Sequence, residues 1–234
     1  MTVKISADSA VVTAEIEKLC HHFEIHELHH HVLTSWAELR NKLPAVVTFD
    51  HHTDILPAFL RYSESNNMSE DVGKDIVKDI VKDIARLQHD EHFSYALQQK
   101  IISKAVIISH TPAVTELEKN MQVLYNGEFS EDEPLNSKSY EKYFDMALED
   151  SFLEQFIEFM PHENYILDID CDYFKTFKSL APESCKIFRR LMHEANMITV
   201  SREADWVRLL TFEKPSDFTP EYIISALGRI YNCT

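Results

Sequence analysis

Three short segments crowd together residue types that bind divalent metals. Phe49-Asp50-His51-His52-Thr53-Asp54 follows directly on the apolar run Ala45 to Phe49. If extended backbone continues through it, alternate side chains project to one side and Asp50, His52 and Asp54 converge. Leu167-Asp168-Ile169-Asp170-Cys171-Asp172 closes a second apolar run. Two carboxylates at two-residue spacing on a buried strand lose several kcal/mol of solvation unless paired or bound to a cation. Either segment alone also reads as a polar strand end with capping aspartates or as an acidic loop. Together they offer five ligands, Asp50, His52, Asp54, Asp168 and Asp170, from two strands, and carboxylate with imidazole suits a transition metal such as manganese. Glu27-Leu28-His29-His30-His31-Val32-Leu33 offers a sixth, and residue chemistry alone does not choose among its histidines.

Other residues could do chemistry near such a centre. His92, in His89-Asp90-Glu91-His92-Phe93, is a candidate proton shuttle because imidazole titrates near working pH; a capping Asp90 with solvent-facing histidines explains the same letters. His110, at the end of the run Ala105 to Ser109, is either a pocket-rim residue or a satisfied buried histidine. Glu203, in Ser201-Arg202-Glu203, could accept two parallel hydrogen bonds or simply start a helix, where the dipole favours it. Trp36 and Trp206 read as core residues.

The elements that must position these residues alternate. Ala45 to Phe49, Ala105 to Ser109, Tyr165 to Ile169 and Met197 to Val200 are β-branched, apolar and short, as buried strands are. Between them, a helix is expected from about Ser69 to Leu87, where Ile76, Ile80 and Ile84 repeat every four residues. Further helices are expected at Tyr140 to Met160, Pro182 to Glu194 and Pro220 to Tyr231, the last with Thr219 and Pro220 as N-cap and first turn. Asn126 to Ser139 reads as a long surface loop. Strands alternating with helices imply an α/β fold with a mostly parallel sheet covered on both faces. Nothing marks an interdomain linker, so residues 1–234 are expected to form a single catalytic domain.

Composition narrows the function. The net charge of -16 opposes nucleic acid and anionic membranes and favours cationic substrates. Three glycines leave no glycine-rich phosphate cradle. Cys20, Cys171, Cys185 and Cys233 show neither metal-ligand spacing nor a disulfide pattern, so reduced thiols in a cytoplasm are expected. No apolar stretch reaches the roughly 20 residues of a membrane span, and the N-terminus lacks signal-peptide order. Thirteen histidines are the anomaly, and most precede residue 93 beside carboxylates.

These motifs carry a family resemblance. Asp50-x-His52-x-Asp54 resembles the Asp-Ala-His-x-Asp motif of the ureohydrolases, and Asp168-x-Asp170 their later Ser-x-Asp-x-Asp motif. HHHVLTSW, TFDHHTD, HDEHF, LDIDCDYF and TVSREADW together are similar to a short branch of that superfamily that includes the peptide arginases. The resemblance spans about residues 27 to 206. It implies a three-layer α/β sandwich of the arginase/deacetylase type. It further implies two manganese ions held by His29, Asp50, His52, Asp54, Asp168 and Asp170, with His31 as the alternative first ligand. The implied reaction is hydrolysis of arginine side chains in a ribosomally made precursor peptide, giving ornithine and urea. Glu203 matches the glutamate that pairs with the substrate guanidinium, and Asp54 the residue that binds metal and moves a proton.

The chain also departs from ordinary arginases. It lacks their Gly-Gly-Asp-His segment, and it is read as lacking a counterpart of the Ser-x-Asn loop that grips the α-groups of free arginine. Asp172 replaces the third acid of the later motif at a changed spacing, which leaves its role open. Two alternatives stay in view: a ureohydrolase of a free guanidino compound, and a metal-binding protein without catalysis. An Asp-His-His phosphoesterase would need a late glycine-rich histidine motif that is missing.

Overall fold

The computed structural model describes residues 23–66, 80–113, 115–125 and 138–232. Its strands are β1 (Phe23–His26), β2 (Ala45–Asp50), β3 (Lys104–Ser109), β4 (Met121–Leu124), β5 (Tyr165–Asp170) and β6 (Met197–Ser201). They form one sheet in the order β1-β6-β5-β2-β3-β4, with every neighbouring pair parallel. The four apolar runs are the four central strands, each one residue longer than the run itself. β2, β3, β5 and β6 are buried almost throughout, as strands covered on both faces must be. β1 and β4 lie at the edges and are four residues each, too short and mixed in polarity to stand out as apolar runs.

Helices α1 (Leu33–Glu38), α2 (Leu60–Ser65), α3 (Ile80–Ile84), α4 (His92–Gln98), α5 (Lys138–Asp145), α6 (Asp150–Leu153), α7 (Lys186–Glu194), α8 (Ala204–Leu210) and α9 (Pro220–Asn232) connect the strands. Of the helix expected over Ser69 to Leu87, residues 69–79 lie outside the described residues. In α3, Ile84 is buried while Val81 faces solvent. The single helix expected from Tyr140 to Met160 is broken instead. α5 ends at Asp145, α6 begins at Asp150, and a 3-10 turn covers Glu154–Phe159. Tertiary capture explains the break: the Glu149 carboxylate accepts from the backbone N–H groups of Glu183 and Ser184, and Asp150 accepts from Ile187 N at 2.8 Å. Those bonds cap the start of α7, which therefore begins at Lys186 rather than Pro182. α9 starts as expected, with Thr219 Oγ1 accepting from Tyr222 N at 3.3 Å. The expected loop Asn126 to Ser139 lies outside the described residues up to 137, and α5 has begun by Lys138.

Alternation along the strands builds two cores. Val47, Phe49, Leu167, Ile169 and Val200 face Phe188, Leu191, Ile223 and Leu227 on one side of the sheet. Val46, Ile107 and Ile166 face Leu33, Trp36, Ile84 and Phe93 on the other. The result is a three-layer sandwich. Thr48, Asp50, Asp168 and Asp170 share the parity of Val46 and Ile166, so they project into the second layer. Chain order runs outward from β2 through β3 to β4, and in the opposite direction from β5 to β6. The carboxyl ends of β2 and β5 therefore flank the point where the sheet order reverses, where open α/β sheets place their ligands. Among the described residues no helix is long and apolar enough to cross a membrane.

Candidate metal centre

Asp50 and Asp170 end β2 and β5 side by side, two residues beyond the Thr48 and Asp168 pair. His29 comes in from the turn after β1. Its Nδ1 lies 3.0 Å from Asp54 Oδ2, 3.2 Å from Asp170 Oδ2 and 3.5 Å from Asp50 Oδ2. One imidazole nitrogen thus faces three carboxylates delivered by two strands and a loop. His52, on the loop after β2, sits 3.2 Å from Asp172 Oδ2 and 4.0 Å from Asp50 Oδ1. Three groups have ligand atoms within 4.8 Å of one another: His29, Asp54 and His92; His29, Asp50 and Asp170; and Asp50, His52 and Asp172. His29 belongs to the first two and Asp50 to the last two, so the three groups form one continuous donor cluster whose residues would hold two ions.

Local backbone serves these contacts. Asp50 Oδ1 accepts from His52 N at 2.8 Å, and Asp170 Oδ1 accepts from Asp172 N at 3.1 Å, so each strand-end aspartate folds the following residue back towards the site. Asp54 and Glu203 both hold left-handed backbone, with φ of 49° and 39°. That conformation costs of order 1–3 kcal/mol for non-glycine residues and concentrates at functional sites.

Electrostatics point to a cation. The chain buries Asp50, Asp54, Asp170 and Asp172 within one small volume. Asp54 Oδ1 and His92 Nε2 are buried without a hydrogen-bond partner, and Asp50 Oδ2 has only the His29 ring at 3.5 Å; such atoms are costly unless something charged satisfies them. Burial and the neighbouring Asp54 push the Asp50 carboxyl well above its ordinary range, and burial with Asp172 does the same to Asp170. Burial would lower the His29 pKa, but Asp168 and Asp170 more than offset it and hold the ring well above its ordinary value. Asp172 runs the other way: despite burial, the His52 hydrogen bond and Lys175 hold its carboxyl below the usual range. A clustered N/O donor set with a partnerless carboxylate oxygen fits a pair of divalent ions of the manganese, iron, cobalt or zinc kind.

The residues expected from the sequence fall into place unevenly. His29, Asp50, His52, Asp54 and Asp170 come together; His29 is 1% exposed, whereas His31 meets His30 edge to face and joins none of the three groups. Asp168 differs from the expectation and joins none of the three groups. Its Oδ2 accepts from His29 Nε2 at 2.7 Å and Thr48 Oγ1 at 2.8 Å, and its Oδ1 accepts from Thr199 Oγ1 at 2.5 Å. With both oxygens occupied it holds the far side of His29, and Asp172 takes the ligand-facing position.

His92 is fully buried, donates Nδ1–H to His89 O at 2.8 Å, and stacks 4.3 Å from His29. Burial and His29 hold it well below the ordinary histidine pKa, which suits a neutral ligand better than a shuttle. Glu203 places Oε1 on His29 N at 2.8 Å, so one of its oxygens fixes the main chain that presents His29. His110 is a structural histidine: it stacks on Tyr173 at 4.2 Å and donates to the Tyr173 carbonyl, and burial with Lys175 pushes it down to about 3. Trp36 is buried core, but Trp206 is not; its ring lies against His52 at 5.1 Å. Lys175 carries no motif signal, yet its ammonium is buried beneath the site and donates to the Asp172 carbonyl. Thr48 and Thr199 were also silent, although their parity with Asp50 and Ser201 marks the face they share.

No family model matches the chain, and no curated protein does. Solved structures do. The chain is similar to an arginase from Bacillus cereus at 12% identity and a TM-score of 0.51, over 97% of this chain and 75% of that one. It is also similar to a hypothetical agmatinase from Burkholderia thailandensis at 14% identity and a TM-score of 0.47, over 98% of this chain and 67% of that one. The fold is thus the mixed α/β fold of arginase, with a parallel six-stranded sheet at its centre.

Proposed function

We propose that this protein hydrolyses guanidino groups at a two-ion centre and that its substrate is an arginine side chain in a ribosomally made precursor peptide, yielding ornithine and urea. The observation that carries the first part is the cluster of buried His29, Asp50, Asp54, Asp170 and Asp172 with half-buried His52, at the switch point of an arginase-like sheet. A pair of divalent ions, manganese in this reading, supplies Lewis acidity and an activated water. The chain's own residues orient the reaction. Glu203 and Asp168 fix His29 from its backbone and its far nitrogen. Asp54, whose Oδ1 has no hydrogen-bond partner, takes a proton from the attacking water and returns it to the leaving side-chain amine as the C–N bond breaks. The cluster's negative charge draws in the guanidinium cation.

The peptide assignment is supported by the likeness of HHHVLTSW, TFDHHTD, HDEHF, LDIDCDYF and TVSREADW to the peptide arginases. A free guanidino compound is the second reading, favoured by the likeness to the arginase from Bacillus cereus.

Mass spectrometry of arginine-containing peptides incubated with the protein and manganese, beside free arginine and D50A, tests both. Conversion of arginine to ornithine residues by the intact site alone supports the proposal. Urea from free arginine only would transfer the activity to the second reading, and no urea from either, with both ions bound, would overturn the hydrolase assignment.

A further inference from the structure

Trp206 lies on α8 one turn beyond Glu203, and its N–H closes that turn on the Glu203 carbonyl at 2.8 Å. Glu203 is the left-handed N-cap of α8, so the helix that carries the indole starts at the residue whose carboxylate holds the His29 main chain. The indole meets the His52 ring edge to face at 5.1 Å and lies 6.1 Å from the His89 ring. It belongs to neither apolar core and keeps part of its surface open, whereas Trp36 is sealed inside. A large aromatic ring withheld from the core and set against His52, whose group includes Asp50 and Asp172, is a surface for a cation, because the indole face is electron-rich. A planar guanidinium can stack on it through both charge and π overlap, which a compact ammonium cannot.

We infer that Trp206 is the wall on which the substrate guanidinium lies, a specificity-determining residue that favours a flat cation over an ammonium. This rests on the guanidino-hydrolase reading for its substrate class. The two tryptophans of the chain give a readout independent of turnover, since only Trp206 is reachable from solvent. Zinc-loaded full-length protein is titrated with N-acetyl-arginine amide, its lysine counterpart and its citrulline counterpart, following tryptophan fluorescence and, in parallel, heat. The arginine compound should change the emission and bind about tenfold more tightly than the lysine compound, and citrulline should do neither. By calorimetry W206L should lose this preference, while W206F, which keeps an aromatic face, should retain most of it. Equal binding of the arginine compound by W206L and the wild type would overturn the inference.

The two readings fail separately. Urea release by W206L with an unchanged KM removes Trp206 and leaves the hydrolase. A Trp206-dependent arginine preference without urea removes the hydrolase and leaves Trp206 as a guanidinium site.

Discussion

Asp168 accepts the Nε2 proton of His29 at 2.7 Å inside a cradle of two threonines, and the second of these, Thr199, accepts from Trp36 Nε1 at 3.1 Å. A carboxylate can only accept, so Nε2 carries a hydrogen and Nδ1 faces Asp50, Asp54 and Asp170. Such carboxylate partners of liganding histidines typically matter 10–100-fold in metal affinity. D168A should therefore weaken binding of one ion by roughly that factor while two ions still bind at saturation, measured by calorimetry against a competing chelator. A saturating stoichiometry of one ion would make Asp168 a ligand after all.

Asp172 and His52 face each other at 3.2 Å with Asp50 alongside. D172N should reduce the bound metal from two ions to one by elemental analysis, and H52A should do the same. The remaining ion should keep near wild-type affinity in both, because His29, Asp54 and Asp170 are untouched. Two ions in D172N would remove Asp172 from the centre.

His92 gives a choice between ligand and shuttle. Its ring is buried, neutral and already bonded through Nδ1 to His89 O. H92N should lose metal more readily on dialysis and leave the apparent pKa values of kcat/KM unmoved. A metal-replete H92N whose rate is restored by added imidazole would instead identify a proton shuttle.

Stability should fall with rising pH without metal and lose that dependence with metal bound. In the metal-free protein His29, raised by Asp168 and Asp170 against the pull of burial, and His52, raised by Asp172 against the same pull, bind protons more tightly folded than unfolded. Their contribution is complete below the ordinary histidine value and is lost as pH rises through the raised values. His51, His92 and His110 are lowered by burial and work the other way, but only below that value. Lys175, lowered by burial to about 8, opposes His29 only above that point. From about pH 6.5 to about pH 8 the metal-free Tm should fall. Saturating metal should abolish the fall, since the ions replace those protons. Scanning calorimetry at several pH values decides it; a metal-free Tm that holds or rises across this range would refute the linkage.

Much of this arrangement was legible in the sequence because a buried parallel strand is both an apolar run and a ruler. The runs ending in Phe49 and Ile169 located β2 and β5, and period two then placed Asp50 and Asp170 on one face. The same ruler failed beyond the strand ends. Asp168 and Asp172 share the parity of Asp170, and only the depth of the sheet, with Thr48 and Thr199 flanking Asp168, separates the residue that holds a histidine from one that can hold an ion. Trp206 and Lys175 escaped for a related reason. A large apolar ring defaults to the core and a lysine to the surface, and each is placed here by tertiary contacts that no local pattern encodes. The break between α5 and α6 was hidden likewise, because Glu149 and Asp150 are helix-compatible until the start of α7 captures them.

The contact between His29 and Asp168 spans 139 residues, and it has a consequence for how the protein matures. Asp50, His52 and Asp54 leave the ribosome long before β5 exists, so the emerging chain carries half a chelate whose other half is still unmade. Closing so distant a pairing is a slow step in folding. Selection of the correct ions is therefore a late event, made by the assembled sheet rather than by the growing chain, and the identity of the bound metal should follow the conditions in which folding finishes.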